Sequence, residues 1–396
     1  MTTPTLSRAL ILLMATAVGL AVASNYYAQP LLHSIAEQFG LSMVNAGSIV
    51  VTAQLSYGAG LLLLAPLGDL FEQRRLIVGM MLIATAGLIV SACAPSLPWL
   101  IVGTALTGLF SVVAQVLVPM GAALSDPAQR GRTVGTLMGG LLLGILLART
   151  AAGLSAELGG WRSIYVLAAV LMAVTAFALY RGLPRHHQPA GLSYPALIGS
   201  VFRLFVEEPV LRVRSLLGML AFCTFALFWT PLAFLLAREP YHFSDAVIGL
   251  FGLAGAAGAL AANWAGRLAD RGQSARGMAV GLLTLLLSWI PLGFAETSLI
   301  ALILGVLALD LAVQLVHVCN QNAVIGLRPE ARTRLNAGYI TCYFLGGALG
   351  SLLGTQLFQW RGWDAIVVAG LMVGVLALLV WWWGERCGAH RAVEKK

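Results

Sequence analysis

Two fixed charges lie deep inside long apolar runs of the sequence, and they are the first candidates for chemistry. Asp310 falls 11 residues into the run 299–324, and Arg149 lies roughly 12 Å inside the run 134–156 at 1.5 Å per residue. A charge in apolar surroundings usually faces a cavity or a partner and usually has a function. Because a carboxylate removed from water takes up a proton more readily, we predict that Asp310 carries a proton. The alternative is a permanently ionised Asp310 that pairs with Arg149.

A polar stripe continues from Asp310 along one face of the same predicted helix. Gln314, His317 and Gln321 follow Asp310 at positions +4, +7 and +11, which lie on one side of a helix. Polar residues on one face of an apolar helix are typical of a cavity lining. His317 is a candidate proton relay because imidazole titrates near neutral pH. A hydrogen-bonded packing role for His317 remains the alternative.

Other runs carry amide and aromatic side chains at spacings that place them on shared helix faces. Phe222, Phe225 and Trp229 fall at i, i+3 and i+7, which makes an aromatic stripe. Such a stripe lines either a pocket or a helix–helix contact. The remaining polar candidates are Asn25, Tyr26, Gln29, Gln54 and Gln115.

The composition requires a membrane around these residues. The 396-residue chain is 59% hydrophobic and 10% charged, with a mean hydropathy of +0.87. Soluble domains carry roughly 25% charged residues, whereas a membrane-spanning helix needs about 20 apolar ones. We predict an all-α membrane protein of twelve transmembrane helices in two pseudo-symmetric six-helix bundles. The predicted spans are 9–32, 44–65, 76–94, 99–123, 134–156, 163–181, 213–236, 246–266, 277–295, 299–324, 335–358 and 365–384.

Charge placement predicts the orientation and the domain boundaries. Of the 24 Lys and Arg residues, three lie on one side of the predicted membrane and Arg149 lies within it, which leaves 20 on the side of the termini. The positive-inside rule then predicts that both termini are cytoplasmic. The first run resembles a signal peptide but continues past Tyr27, so we expect a retained helix. The predicted parts are a bundle 1–181, a cytoplasmic linker 182–212, a second bundle 213–384 and a tail 385–396.

The two halves of the sequence repeat each other at an offset of 202 residues. Residues 127–166 and 329–368 share ten identities in 40 positions. Such an internal repeat in a polytopic membrane protein is typical of a transporter whose halves move about a central site. The matched pairs include Pro127 with Pro329, Arg130 with Arg332, Arg132 with Arg334, Gly144 with Gly346 and Trp161 with Trp363.

Two loops and one span carry a family resemblance. The segment Gly266-Arg267-Leu268-Ala269-Asp270-Arg271-Gly272 resembles the loop signature of the major facilitator superfamily, and Asp69, Arg74 and Arg75 lie in the matching loop of the first half. Gly140 to Arg149 partly resembles the span-five signature of bacterial drug/proton antiporters and sugar-efflux proteins. It has Ile145 where the signature has proline, and Thr104 stands where many antiporters have a span-four arginine.

The resemblance implies roles for the candidate residues. It implies that Gly266, Asp270 and Arg271, with Asp69, Arg74 and Arg75, form gating loops in which ion pairs stabilise one access state. It also implies a cavity lined by spans one, four, seven and ten. The amide and aromatic residues of those spans, together with Gln54 of span two, would then form a mixed pocket suited to amphipathic organic molecules.

We therefore expect a secondary transporter that moves a small molecule, most simply by proton-coupled efflux of an organic compound or drug. The alternatives are a proton symporter or uniporter that imports a metabolite or an organic anion held by Arg149, and a non-transporting membrane sensor. We expect no enzyme activity, cofactor, metal or nucleic acid, since the sequence has no nucleotide-binding loop, catalytic triad or metal-ligand cluster. The expected setting is a bacterial inner membrane, with protons, lipid and substrate as partners and a monomeric state.

Overall fold

The fold was analysed in a computed structural model, which describes residues 6–186, 193–255, 274–328 and 331–386. The described residues are helical and contain no strand. The first half contains eight α-helices and a short 3-10 helix at Ala65–Asp69. These helices are α1 (Arg8–Ala23), α2 (Ala28–Phe39), α3 (Met43–Leu63), α4 (Gln73–Ala92), α5 (Leu97–Phe110), α6 (Ala114–Leu124), α7 (Arg130–Gly159) and α8 (Arg162–Gly182).

The second half has the same kinds of element, preceded by a helix in the segment predicted as a polar linker. A second 3-10 helix lies at Phe251–Gly255. The helices are α9 (Tyr194–Glu207), α10 (Pro209–Leu236), α11 (Asp245–Leu250), α12 (Ser274–Leu287), α13 (Trp289–Leu292), α14 (Leu299–Ile325), α15 (Arg332–Arg361) and α16 (Trp363–Arg386).

Many helices are long and apolar enough to cross a bilayer. Within the described ranges ten spans pass this test, and the number is eleven if the pair α1 and α2, bent by 42°, counts as one span. The predicted span 246–266 continues into residues outside the described ranges, so the twelfth crossing is not tested. The predicted first span is interrupted, since α1 ends at Ala23 and α2 begins at Ala28.

The internal repeat is visible in the backbone. Helices α7 and α15 each contain 30 residues, and both of their ends are related by the 202-residue offset. Each helix stops at a glycine with a positive φ, 77° at Gly160 and 71° at Gly362, a conformation that other residues rarely adopt. The repeated glycines therefore end equivalent helices in the two halves.

Glycines allow close helix contacts mainly within each half. Gly144 of α7 packs on Gly19 of α1, and Gly346 of α15 packs on the backbone of Met219 in α10. A Cβ atom at these positions would overlap the neighbouring helix, so small residues set the interhelical distance. Contacts between halves are made by fewer glycines, among them Gly153 with Asp245.

The two ends of the helical bundle can be distinguished by their loops. We call the end that contains Arg8, residues 193–208 and Arg328 the linker face, and the end that contains Gly40, Gly160 and Gly362 the distal face. Near the distal face, several hydrogen bonds join the halves and close it. They run from Ser34 to Asp245 (2.6 Å), from Ser244 to Glu157 (2.6 Å), from Thr150 to the Gly249 carbonyl (3.1 Å) and from the Val44 amide to Gln359 (3.4 Å).

Helix α9 connects both halves at the linker face. The Tyr194 hydroxyl donates to the Leu63 carbonyl of α3 at 2.8 Å, and Val201 and Phe205 pack against Gly338 of α15. Arg328, between α14 and α15, pairs with Glu207 at 2.8 Å and Glu208 at 2.6 Å. The segment between the halves is thus attached to α3 on one side and to α15 on the other.

We expect Gly346→Ala to destabilise the protein by about 1–3 kcal/mol, because the added methyl group overpacks the contact between α15 and α10. The measurement is thermal unfolding of the purified protein in detergent. The matched control is Gly79→Ala in α4, where no other residue lies within 4 Å of the added Cβ atom. Equal unfolding temperatures for the two variants would contradict the packing argument.

Candidate functional site

The break between α1 and α2 positions the first candidate residues. Pro30 has no amide hydrogen, and its ring would clash with the Tyr26 carbonyl in a continuous helix, so the helix is interrupted before it. Asn25 and Tyr26 lie in this break, and Gln29 lies in the first turn of α2. All three side chains are buried. The bend therefore turns polar groups toward the centre of the bundle.

Arg149 of α7 lies at the contact between the halves and is 2% exposed. Its Nε donates a 2.7 Å hydrogen bond to Gln29 Oε1. Its guanidinium carbon lies 4.9 Å from the ring centre of Tyr26 and 4.3 Å from that of Trp229 in α10. The positive charge is therefore held by one amide and by aromatic ring faces from both halves.

Asp310 of α14 is 6% exposed and accepts a 3.0 Å hydrogen bond from Trp229 Nε1. Arg149 and Asp310 form no direct ion pair within 4 Å; Trp229 connects them instead, since it stacks on Arg149 and donates to Asp310. The two charges still interact electrostatically over the longer distance. In this conformation, therefore, Asp310 is not directly paired with Arg149.

The predicted aromatic stripe forms a wall on α10. Phe222 stacks on Tyr343 of α15 with ring centres 4.1 Å apart, and Phe225 lies 5.3 Å from Phe222. Phe225 is only partly buried and lies 5.5 Å from the Arg149 guanidinium. The stripe therefore serves both helix packing and the central site.

The polar stripe of α14 points toward α15 over part of its length. His317 Nδ1 lies 3.0 Å from the Tyr339 hydroxyl, and Gln321 donates to Asn336 at 2.9 Å. Gln314 and His317 are both partly exposed. His317 thus has a hydrogen-bonded packing partner and also keeps an accessible surface.

The other predicted amides lie on α3 and α6. Gln54 is 1% exposed, and neither of its amide atoms has a hydrogen-bond partner within the described part of the chain. It lies beside Gly347 and Phe222, while Gln115 is partly exposed beside Tyr57. Buried polar atoms almost always have partners, so the Gln54 amide requires water or a ligand.

The predicted gating residues separate into different environments. Asp69 interacts electrostatically with Arg334 at the start of α15, and this interaction links the two halves at the linker face. Arg74 donates to the carbonyls of Tyr180 and Leu183 within the first half, and Arg75 pairs with Glu72 at 3.8 Å. Gly266, Asp270 and Arg271 lie outside the described residues.

Sequence analysis did not identify several residues of the centre and the distal face. Tyr343 stacks on Phe222 and also lies 4.5 Å from His317, which connects the aromatic wall with the polar stripe. Asp245 and Ser34 join the halves at the distal face. Arg334 could have been recognised from the repeat, because it matches Arg132; the contacts of Tyr343 and Asp245 depend on helix facing, which the sequence does not show.

A bundle of two repeated helical halves around a buried, charged centre defines a multi-pass membrane transport protein. The family model described as Major Facilitator Superfamily matches residues 14–325 and 264–393. The chain therefore belongs to the Major Facilitator Superfamily and is a membrane transporter, not an enzyme.

Individual relatives agree with this assignment. The chain is 57% identical over 379 residues to the putative uncharacterized transporter YgaY of Escherichia coli, covering 96% of each chain. It is 23% identical to a probable sugar efflux transporter of Mannheimia succiniciproducens, covering 93% of this chain and 92% of the relative. The fold matches a bacterial homologue of the lysosomal transporter Spinster, solved in an inward-facing conformation, with a TM-score of 0.77, 16% identity and 98% coverage of both chains.

Closure of the distal face should depend on pH through Asp245. Burial raises the pKa of Asp245; the Ser34 hydrogen bond and His33 lower it, and Glu157 and Glu37 raise it. A raised pKa means that the closed arrangement binds a proton more tightly than one in which Asp245 meets water. We therefore expect closure to strengthen as the pH falls from neutral toward the titration range of Asp245, and to weaken as the pH rises.

The measurement is maleimide labelling of a cysteine at the buried position Ala233, in a chain without other cysteines. The rate is normalised to that of a cysteine at Leu158, which is 91% exposed. Labelling of the buried position should slow as the pH falls, and Asp245→Asn should remove this dependence. An unchanged pH dependence in Asp245→Asn would assign the effect to another group.

Proposed function

We propose that this transporter exports a small organic compound in exchange for protons by alternating access across a bacterial inner membrane. The excess of Lys and Arg in the loops on the same side as the termini supports a cytoplasmic linker face and a periplasmic distal face. The relative named as a probable sugar efflux transporter supports export. In this orientation the closed distal face separates the centre from the periplasm.

The observation that carries the proposal is the environment of Asp310. This carboxylate lies within the apolar helix α14, it is 6% exposed, and it accepts the Trp229 hydrogen bond at the contact between the halves. A carboxylate that meets one side of the membrane at a time can take up a proton on one side and release it on the other. Substrate and proton would then occupy the centre in turn.

Trp229 offers a physical route from the proton to the gate. Hydrogen bonds to ionised acceptors are roughly twice as strong as those to neutral ones. Protonation of Asp310 would therefore weaken the hydrogen bond that Trp229 donates to it. Trp229 stacks on Arg149, whose backbone packs on Gly249 of α11 near the distal face. A change in the charge of Asp310 would thereby reach the helices that close the distal face.

The driving force is sufficient for useful export. A membrane potential of 100 mV supplies about 2.3 kcal/mol for each charge moved, and a tenfold concentration ratio costs about 1.4 kcal/mol. One proton for each neutral substrate molecule would therefore sustain a gradient of a few tens-fold from the voltage alone. A single carboxylate is enough for this coupling.

We expect Asp310→Asn to abolish export driven by a pH gradient, because the amide cannot exchange a proton. The assay is flux of a compound panel in proteoliposomes with an imposed pH gradient. The control is Asp126→Asn, the same chemical change in a loop at the linker face. Export that ignores the pH gradient in the unaltered protein, or that Asp310→Asn leaves intact, would refute proton-coupled export.

We expect Trp229→Phe to lower proton-driven flux by about tenfold, because the phenyl ring keeps an aromatic face for Arg149 but loses the hydrogen bond to Asp310. The matched control is Trp363→Phe, which loses a 2.7 Å hydrogen bond to the Leu292 carbonyl away from the site. Proteoliposome flux and thermal unfolding are measured for both variants. If both variants lose the same amount of flux, Trp229 contributes only to the stability of the fold and not to proton coupling.

A further inference from the structure

A small cavity beside Arg149 is lined by two residues that carry hydrogen-bond donors without a partner in the described part of the chain. It is lined by Gln29, Arg149 and Trp229 together with apolar side chains of α2, α10 and α11, and it has room for about one water molecule. Both residues are 98% buried. Even so, Arg149 Nη2 and Gln29 Nε2 lack a hydrogen-bond partner among the described residues. Leaving such donors unsatisfied costs free energy, so this space is built to receive a group that accepts hydrogen bonds.

The lining defines the polarity of that group. Gln29 Oε1 already accepts from Arg149 Nε, and the Trp229 N–H already donates to Asp310. The remaining lining residues are Pro30, Leu232, Ala233 and Ile248. The two residues that carry these donors therefore line a space whose other walls are apolar, which suits an oxygen acceptor that carries no hydrogen to donate.

The charges around the cavity define the charge of that group. When Asp310 is ionised, it offsets the charge of Arg149 across Trp229, and the π faces of Tyr26, Phe225 and Trp229 stabilise the guanidinium further. An additional carboxylate would give this enclosed centre a net negative charge, at a high cost in a medium of low polarity. An uncharged carbonyl oxygen accepts both hydrogen bonds without that cost.

The aromatic wall defines what the oxygen is attached to. Phe222, Phe225 and Trp229 follow one another along α10 from the linker side toward the cavity. The cavity has room for about one water-sized group, so only the carbonyl oxygen fits inside it and the rest of the molecule lies outside. A planar ring attached to that group would extend along the wall toward the linker face, where Phe225 is partly exposed.

We propose that Arg149 Nη2 and Gln29 Nε2 form a subsite for the carbonyl oxygen of an uncharged aromatic amide or a similar ring compound, and that this selects neutral substrates over their anionic counterparts. The inference rests on the proposed function in one respect: Asp310 is ionised when the substrate is bound. It assigns Arg149 the role of a neutral-acceptor site and not that of an anion receptor.

The test uses cinnamamide and cinnamate, which share one skeleton and differ in charge, with calorimetric titration of the purified protein at neutral pH. We expect cinnamamide to bind at least tenfold more tightly than cinnamate. Arg149→Met and Gln29→Leu should each weaken cinnamamide binding by about 10- to 100-fold, the range expected for hydrogen bonds to buried donors. The matched control is Arg162→Met, which removes an arginine stacked at 4.2 Å on Trp161 outside the site.

The other outcomes overturn the inference. Tighter binding of cinnamate with uptake of a proton would make Arg149 an anion site, while leaving a proton-coupled mechanism in place. Cinnamamide binding that survives both substitutions in variants with unchanged thermal unfolding, or no binding of either probe at millimolar concentration, would reject the subsite. Failure of the proposed function appears separately, as cinnamamide binding without any effect of the pH gradient on flux.

Discussion

The constraint on which this structure depends is the burial of a guanidinium and a carboxylate in the contact between two halves of a membrane protein. Each charge in a low-dielectric interior costs several kcal/mol unless other groups replace its hydration. Here the replacement is indirect, because Trp229 stacks on Arg149 with one face and donates its N–H to Asp310. The two charges compensate each other without touching, and Nη2 of Arg149 and Nε2 of Gln29 have no hydrogen-bond partner within the described ranges.

The remaining fold holds this arrangement in place. Glycine contacts bring α7 against α1 and α15 against α10, so the helices within each half are closely packed. Hydrogen bonds near the distal face, such as Ser34 to Asp245, then decide how the two halves meet.

Hydropathy could predict the apolar spans and the burial of Arg149 and Asp310 within them, because polar groups are costly in lipid. The repeat could predict the equivalent helices of the two halves. The contacts of these residues could not be predicted, since the direction of a side chain depends on helix rotation and on partners distant in sequence. Trp229 appeared only as one member of an aromatic stripe. The break near Pro30 could have been recognised from the proline itself. Helix α9 was not predicted, because it lies in the segment 182–212, whose polar composition favoured a linker.

The length of the two repeated helices has a consequence for the surrounding lipid. With 30 residues each, α7 and α15 extend about 45 Å at 1.5 Å per residue, compared with a hydrocarbon thickness of about 30 Å. Both helices must therefore tilt or reach into the headgroup layers, and the proposed alternating access would change that tilt. Bilayer thickness would consequently favour one access state over the other through hydrophobic mismatch. The thickness of the membrane would then influence the proposed transport cycle through the tilt of these two helices.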